Sequence, residues 1–190
     1  QELPPGHLFS SRDGLQPFSA YSPERFEFET AEQAAELLES LLVKAVERQM
    51  ADGAVKGVSL SGGLDSSVIA AIAKSLDPTL KIFSTTIQRN PSPDIQYAKR
   101  MADYLGLEHI IYEITDQEIK DVIPEAVWLM ETFDEDCISG AIANYYTSKC
   151  IAGYGNCVLV GEGADELFGG YFKELQDIPD DSEKERVAQK

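Results

Sequence analysis

Val55–Leu76, VKGVSLSGGLDSSVIAAIAKSL, is the stretch whose reading decides the fold. Val55, Val58 and Leu60 mark an apolar strand, Ser61-Gly62-Gly63 breaks it, and Val68, Ile69, Ala71, Ile72 and Leu76 make the following helix apolar. A strand, a glycine turn and a helix in succession aim several free backbone N–H groups at one spot. The glycines let the backbone approach an oxyanion closely, and Ser61, Ser66 and Ser67 add hydroxyl donors. The helix dipole adds about half a positive charge at the same end. The arrangement predicts an anion cradle, with phosphate as its guest.

Two details sharpen that reading. A Walker A loop needs Gly-Lys-Ser/Thr at the helix start, and no lysine stands here. Instead Asp65 places a negative charge at the phosphate site, which is sensible if a divalent cation bridges carboxylate and phosphate. The plain alternative is a turn whose serines and Asp65 cap a core helix. Two glycines alone would suit that alternative, but the whole string SGGLDSS directly after a strand favours phosphate.

Outward from this unit, strands and helices alternate. Thr30 and Gln33 form a capping box. The helix they open carries Leu37, Leu38, Leu41, Leu42, Ala45 and Val46 in one stripe, expected to pack on the sheet. Leu80–Ile87 is a second strand. Ser92-Pro93-Asp94 then starts a helix, with Ile95, Ala98, Met101, Ala102 and Leu105 on one face and Gly106 at its end. His109–Ile114 is a third strand. Thr115 and Glu118 form a second capping box opening a short helix, and Pro124 is expected to start a new one through Met130. Met130–Ile138, METFDEDCI, interrupts with four carboxylates, and Ser139 is expected to open a helix to Ile151. Asn156–Val160 is a fourth strand. The alternation predicts an α/β fold, a parallel sheet of about five strands with right-handed crossovers and helices on both faces.

At the end of the last strand stands GEGADELFGGY, Gly161–Tyr171. Ligands bind beyond the carboxyl ends of strands in open α/β sheets, so this loop and SGGLDSS can share one crevice. Crowding Glu162, Asp165 and Glu166 into a glycine-rich turn is costly unless a cation offsets the charge. Asp65 and Asp165 are therefore the candidate Mg²⁺ ligands, and Glu162 and Asp165 the candidate catalytic residues, with Glu162 acting as a base or positioning a nucleophile. A polar loop with an acidic helix start would look similar, but two motifs at two strand ends favour a site.

The bulk numbers bound the rest. At 190 residues with a formal charge of −17, the chain is one ordinary domain and a poor partner for nucleic acid. No run approaches the ~20 apolar residues that span a bilayer, and the polar start does not read as a signal peptide. The three cysteines, Cys137, Cys150 and Cys157, lack zinc-type spacing and predict buried free thiols and a cytoplasmic address. Residues 1–22 predict a hairpin turning at Asp13-Gly14, and 176–190 a charged tail without a core.

SGGLDSS, ETFD and GEGADELFGGY, in that order, resemble the synthetase domain of glutamine-hydrolysing asparagine synthetases, within the N-type ATP pyrophosphatases (PP-loop superfamily). GMP and NAD synthetases share the first motif but not the last. The resemblance implies a synthetase domain over 23–175 that binds ATP and Mg²⁺. There aspartate's side-chain carboxylate attacks the α-phosphate to give β-aspartyl-AMP and pyrophosphate, and ammonia then displaces AMP. It implies that Leu60, Ser61, Gly62, Gly63, Leu64, Asp65, Ser66 and Ser67 hold the nucleotide and its phosphates. Thr85, Val160 and Gly161 would contact adenine by backbone, and Glu162 would serve as acid/base at the aspartyl end. Leu-Pro-Pro-Gly-His resembles the close of the upstream glutaminase domain, so ammonia is expected from glutamine through that domain in the same or another chain. A homodimer exchanging the hairpin is a further expectation.

The chain departs from the family pattern at three places. Val160 stands where members usually have serine, Ser139 where some carry an arginine, and the chain stops at Lys190 where members continue. These departures keep two alternatives open. One is a β lactam synthetase-like ligase adenylating another carboxylate, and the other is a truncated module that binds nucleotide without turnover.

Overall fold

In the computed structural model, residues 3–17 and 26–170 are described, and the expected tail and Tyr171 lie outside them. The chain divides into two compact units, Gln1–Leu38 and Glu39–Lys190. The first holds β1 (His7–Ser10) and β2 (Gly14–Pro17), an antiparallel hairpin with Ser10 opposite Gly14. Ser10 Oγ accepts from the backbone amide of Arg12 at 3.1 Å, which braces the turn.

Helix α1 (Ala31–Met50) starts in the first unit and ends in the second. Its cap is close to the expected box. The Gln33 amide donates to Thr30 Oγ1 at 3.3 Å, and Gln33 Oε1 accepts from the Glu29 amide at 3.0 Å. The stripe departs from expectation. Val46 is buried and Met50 packs on the core, but Leu38 and Leu41 are 38% and 49% exposed. Among the described residues of the second unit, it is the last turns of α1 that join the sheet's apolar cluster, through Val46 and Met50.

The second unit is built on β3 (Val55–Ser59), β4 (Lys81–Ile87), β5 (Glu108–Ile114) and β6 (Cys157–Leu159). They pair in the order β5-β4-β3-β6, all parallel, with α2 (Leu64–Leu76), α3 (Asp94–Leu105), α4 (Asp116–Met130) and α5 (Glu135–Ala152) as connections. The described sheet has four strands, one fewer than expected, because the sequence carries only four strand-like apolar runs. β3 and β4 are central, and Val58, Leu60, Ile82 and Phe83 are fully buried. Burying each such side chain stabilises the fold by about 1.5–3 kcal/mol. A parallel strand covered on both faces needs this near-continuous apolar character.

Two helix boundaries differ from the sequence reading. Helix α4 runs through Pro124 instead of restarting there. Val122 and Ala126, one turn apart and both buried, hold the two sides of the proline on one core with Ile142 and Tyr146. The carbonyl that loses its helical partner belongs to exposed Lys120, where water can serve it. Helix α5 starts at Glu135, four residues before Ser139, because Asp134 caps it: its Oδ1 accepts the Cys137 amide at 2.9 Å. The thiols also depart from expectation, since Cys137 and Cys157 are exposed and Cys150 is half-buried. Cys137 sits in an exposed first helical turn, and Cys157 starts the short edge strand β6.

Strands β3, β4 and β5 progress to one side, and β6 returns to the other side of β3. The order reverses between β3 and β6, and a crevice opens beyond their carboxyl ends. SGGLDSS follows β3, and GEGADE follows β6.

Candidate functional site

β3 ends with a rung to β4, in which the Leu60 amide donates to Phe83 O at 2.8 Å. The chain then turns sharply. Gly62 has φ 96°, and a Cβ there would stand 2.3 Å from Asp94 O, so both the turn and the packing against α3 require glycine. The loop ties itself together through serines. Ser66 Oγ accepts from the Ser61 amide at 3.2 Å and lies 2.9 Å from Ser61 Oγ, which accepts the Gly63 amide at 3.2 Å. Ser67 Oγ donates to Gly63 O at 2.7 Å. The N-cap, Gly63, offers no side-chain acceptor to the first turn of α2. Those first-turn amides, with the dipole behind them, are suited to an external anion.

The second loop is pressed onto the first. A Cβ on Gly161 would lie 2.7 Å from the Ser66 amide nitrogen and 3.0 Å from Asp65 C, so the backbones meet without a side chain between them. Beyond Gly161, Gly163 adopts φ 93° and opens the short helix α6 (Ala164–Phe168). The Gly170 amide returns to Asp165 O at 3.0 Å, and the Asp165 carboxylate lies over the Gly170 backbone.

Between the loops lies a crevice of about 190 Å³, lined by Ser59, Ser61, Asp65, Ser66, Asn144, Val160, Gly161, Glu162, Gly163, Asp165 and Glu166. The structure thus brings together seven of the expected residues: Ser61, Asp65, Ser66, Val160, Gly161, Glu162 and Asp165. The others stand outside the lining. The Leu60 side chain is buried in the core, Gly62 and Gly63 shape the turn, Leu64 is exposed, and Ser67 closes back on the loop. The Thr85 hydroxyl pairs with Thr147 Oγ1 on α5 at 2.9 Å. Thr147 in turn donates to Ala143 O at 2.8 Å, so Thr85 is the donor of the pair and ties α5 to the end of β4.

Ser59, Asn144, Gly163 and Glu166 also line the crevice. The sequence shows Gly163 and Glu166 in the crowded GEGADE turn but assigns neither a role, and it gives no sign of Ser59 or Asn144. Asn144 carries no local motif and arrives only because α5 packs beside β4. A larger cavity of about 410 Å³ lies at the opposite, amino ends of β3 and β4, lined by residues such as Met50, Val55, Leu80 and Tyr154. Its lining has one turn glycine, Gly53, and no serine, and its carboxylates, Glu47 and Asp77, share it with Lys56 and Lys81.

Asp65 and Asp165 offer hard carboxylate oxygens on opposite loops of the crevice. Among the described residues no set of three Asp, Glu, His or Cys side chains forms a cage for a metal. That donor set suits Mg²⁺, which is commonly held by one or two carboxylates together with substrate phosphates.

Solved structures share this fold. An NH3-dependent NAD synthetase from Campylobacter jejuni matches 72% of this chain and 60% of its own at TM-score 0.51 and 20% identity. A glutamine-dependent NAD+ synthetase from Acinetobacter baumannii, in complex with ADP, matches 87% of this chain and 31% of its own at TM-score 0.55 and 20% identity. At the level of sequence the relatives are nearer. An asparagine synthetase [glutamine-hydrolyzing] from Zea mays is 36% identical over 89% of this chain, and a probable one from Dictyostelium discoideum is 34% identical over 96%. The chain spans 30% and 36% of the lengths of those two curated relatives. Residues 37–187 match the asparagine synthase family, and with that match and these relatives the chain belongs to the asparagine synthase family.

Proposed function

We propose that this chain is the nucleotide-activating part of an ATP-dependent amide ligase. In the proposed reaction the side-chain carboxylate of aspartate attacks the α-phosphorus of ATP, giving β-aspartyl-AMP and pyrophosphate. Ammonia then adds at the acyl carbon and AMP leaves, giving asparagine. The observation that carries the reading is the contact of Gly161 with the Ser66 backbone, which joins the two motif loops in one crevice at the switch point of the sheet.

Each residue has a task that its placement supports. Ser61 and the first-turn amides of α2 would hold the pyrophosphate oxygens, where fixed donors stabilise charge developing on the leaving group. The Leu60, Thr85, Val160 and Gly161 backbones would border the adenosine. Asp65 and Asp165 would hold Mg²⁺, which when bound supplies charge neutralisation among the crevice carboxylates. Glu162 would accept a proton from the attacking nitrogen.

The domain reading belongs to the same proposal, with 1–22 as the close of a glutaminase domain that supplies ammonia and 23–175 as the synthetase domain. No helix among the described residues is long and apolar enough to cross a membrane, and we place the chain in the cytoplasm. Ser139 stands exposed on α5 in place of a guanidinium, which favours one second reading, a β lactam synthetase-like ligase that adenylates a different acid.

The test is product analysis with ATP, Mg²⁺, aspartate and ammonia. AMP and pyrophosphate released only with aspartate support the proposal. Release with another acid alone selects the second reading, and ADP with phosphate would overturn adenylation altogether.

A further inference from the structure

Ser84 is a buried residue of β4 whose hydroxyl reaches across to β3, where its Oγ donates to Leu60 O at 2.6 Å. A carbonyl can only accept, so the one hydroxyl proton is committed there. On the other side, His109 Nε2 lies 2.8 Å from Ser84 Oγ. With its proton spent, Ser84 must accept from the ring, so the hydrogen of His109 sits on Nε2. Burial, joined by the charge of Lys99 and opposed by Asp103, pushes the His109 pKa below its ordinary value, which keeps the ring neutral at pH 7.

The relay reaches the phosphate loop. The peptide between Leu60 and Ser61 is held at both ends, its carbonyl by Ser84 and its N–H by Ser66 Oγ at 3.2 Å. Ser66 lies in the first turn of α2, and its hydroxyl also meets Ser61 Oγ at 2.9 Å. Hydrogen bonds in such a chain polarise one another in a low-dielectric interior. One continuous path therefore runs from β5 through β4 and β3 into the turn.

We infer that Ser84 and His109 are positioning residues for the nucleotide: they fix the orientation of the Leu60–Ser61 peptide, and through it the donors that the loop presents to phosphate. The inference rests on the nucleotide reading of the crevice. Neither residue lines that crevice.

The chain holds two histidines, His7 and His109, so the His109 ring is readily assigned in nitrogen-15 spectra. The neutral ring should be the Nε2–H tautomer, and the Nδ1–H tautomer would overturn the relay. His109→Leu removes the donor, while His109→Gln keeps an N–H donor on a side chain of similar reach. In the ligand-free chain the Leu variant should shift the Ser61 and Gly63 amide resonances, and the Gln variant should return them toward wild type. Resonances that stay put, or that move equally in both variants, sink the inference.

Titration with Mg²⁺–ATP should then show affinity weakened roughly 3- to 10-fold by His109→Leu and by Ser84→Ala, the worth of one neutral hydrogen bond, and largely recovered in His109→Gln. Equal affinities in all of them would overturn the positioning role. If the wild-type chain binds no nucleotide, the phosphate reading fails, while the loop resonances still decide the relay. Where Ser84→Ala does not fold, the His109 pair carries the test alone.

Discussion

Gly161 meets the Ser66 amide with no room for a side chain, since a Cβ on Gly161 would lie 2.7 Å from that nitrogen. The atom in the way is backbone at the start of α2, which cannot swing aside. Gly161→Ala should therefore part the two loops or strain them, at an overpacking cost of about 1–3 kcal/mol. We expect a folded chain with a lower thermal midpoint and Mg²⁺–ATP affinity reduced by roughly tenfold or more. Calorimetric titration beside circular dichroism checks this. Wild-type affinity in the alanine variant would show that the loops bind independently.

Asp65 tests the metal assignment. It lines the crevice from the first turn of α2, where a carboxylate also complements the helix dipole. Asp65→Asn keeps the shape and removes the charge. If Asp65 holds Mg²⁺ beside the phosphates, the variant should lose roughly tenfold or more in Mg²⁺–ATP affinity and little in AMP affinity, since hard cations favour ionised oxygen ligands. Equal losses for both ligands would make Asp65 a structural cap.

The fold was legible wherever the signal was local. The apolar run of Val58 on β3 and Leu60 just beyond it, and the Thr115–Glu118 capping box, are features of short range, and both stand in the structure. The motif loops were legible because glycine, serine and carboxylate in a fixed string leave few alternatives. What escaped depends on distance in sequence. Asn144 is brought to the crevice by the packing of α5 beside β4, and the Ser84–His109 pair spans 25 residues. Pro124 misled for the same reason, because the buried neighbours that hold α4 together across it lie on α5. The leucine stripe of α1 shows the converse: periodicity fixes a helix face, while burial depends on whether anything stands opposite.

Glu162 separates binding from chemistry. It sits between Gly161 and Gly163 on the crevice wall, with its side chain exposed. If Glu162 is the acid/base at the acyl end, it has no part in holding the triphosphate. Glu162→Gln should leave Mg²⁺–ATP affinity within about twofold of wild type. In a polypeptide that carries the chain and turns over, it should reduce amide formation by about 10²-fold or more, the usual worth of general acid–base catalysis. Unchanged turnover would remove Glu162 from the mechanism.

Away from the crevice, Glu118 links β5, α4 and α5. Its carboxylate accepts from Tyr112 Oη at 2.5 Å and from the Thr115 amide and hydroxyl at 2.9 and 2.8 Å, while its backbone carbonyl accepts from Tyr146 Oη at 2.9 Å. These donors, Tyr112 foremost, hold the Glu118 pKa down from 4.5 to about 2. The same bond, with burial and the Glu118 charge, pushes Tyr112 up from 10.0 to about 12. The linkage follows with opposite signs at the two ends of the scale. A depressed carboxylate contributes stability above pH 4.5 that is lost as pH falls toward 2. A raised phenol contributes stability below pH 10 that is lost as pH rises toward 12. Wild type should therefore exceed Tyr112→Phe in unfolding free energy across neutral pH, and the margin should shrink in both windows. Urea unfolding of the two proteins at a series of pH values reads this directly, as a difference in which the titration of the remaining acidic groups largely cancels. A margin constant from pH 6 down to pH 2 would show that the Tyr112–Glu118 bond does not couple the carboxylate's ionisation to folding.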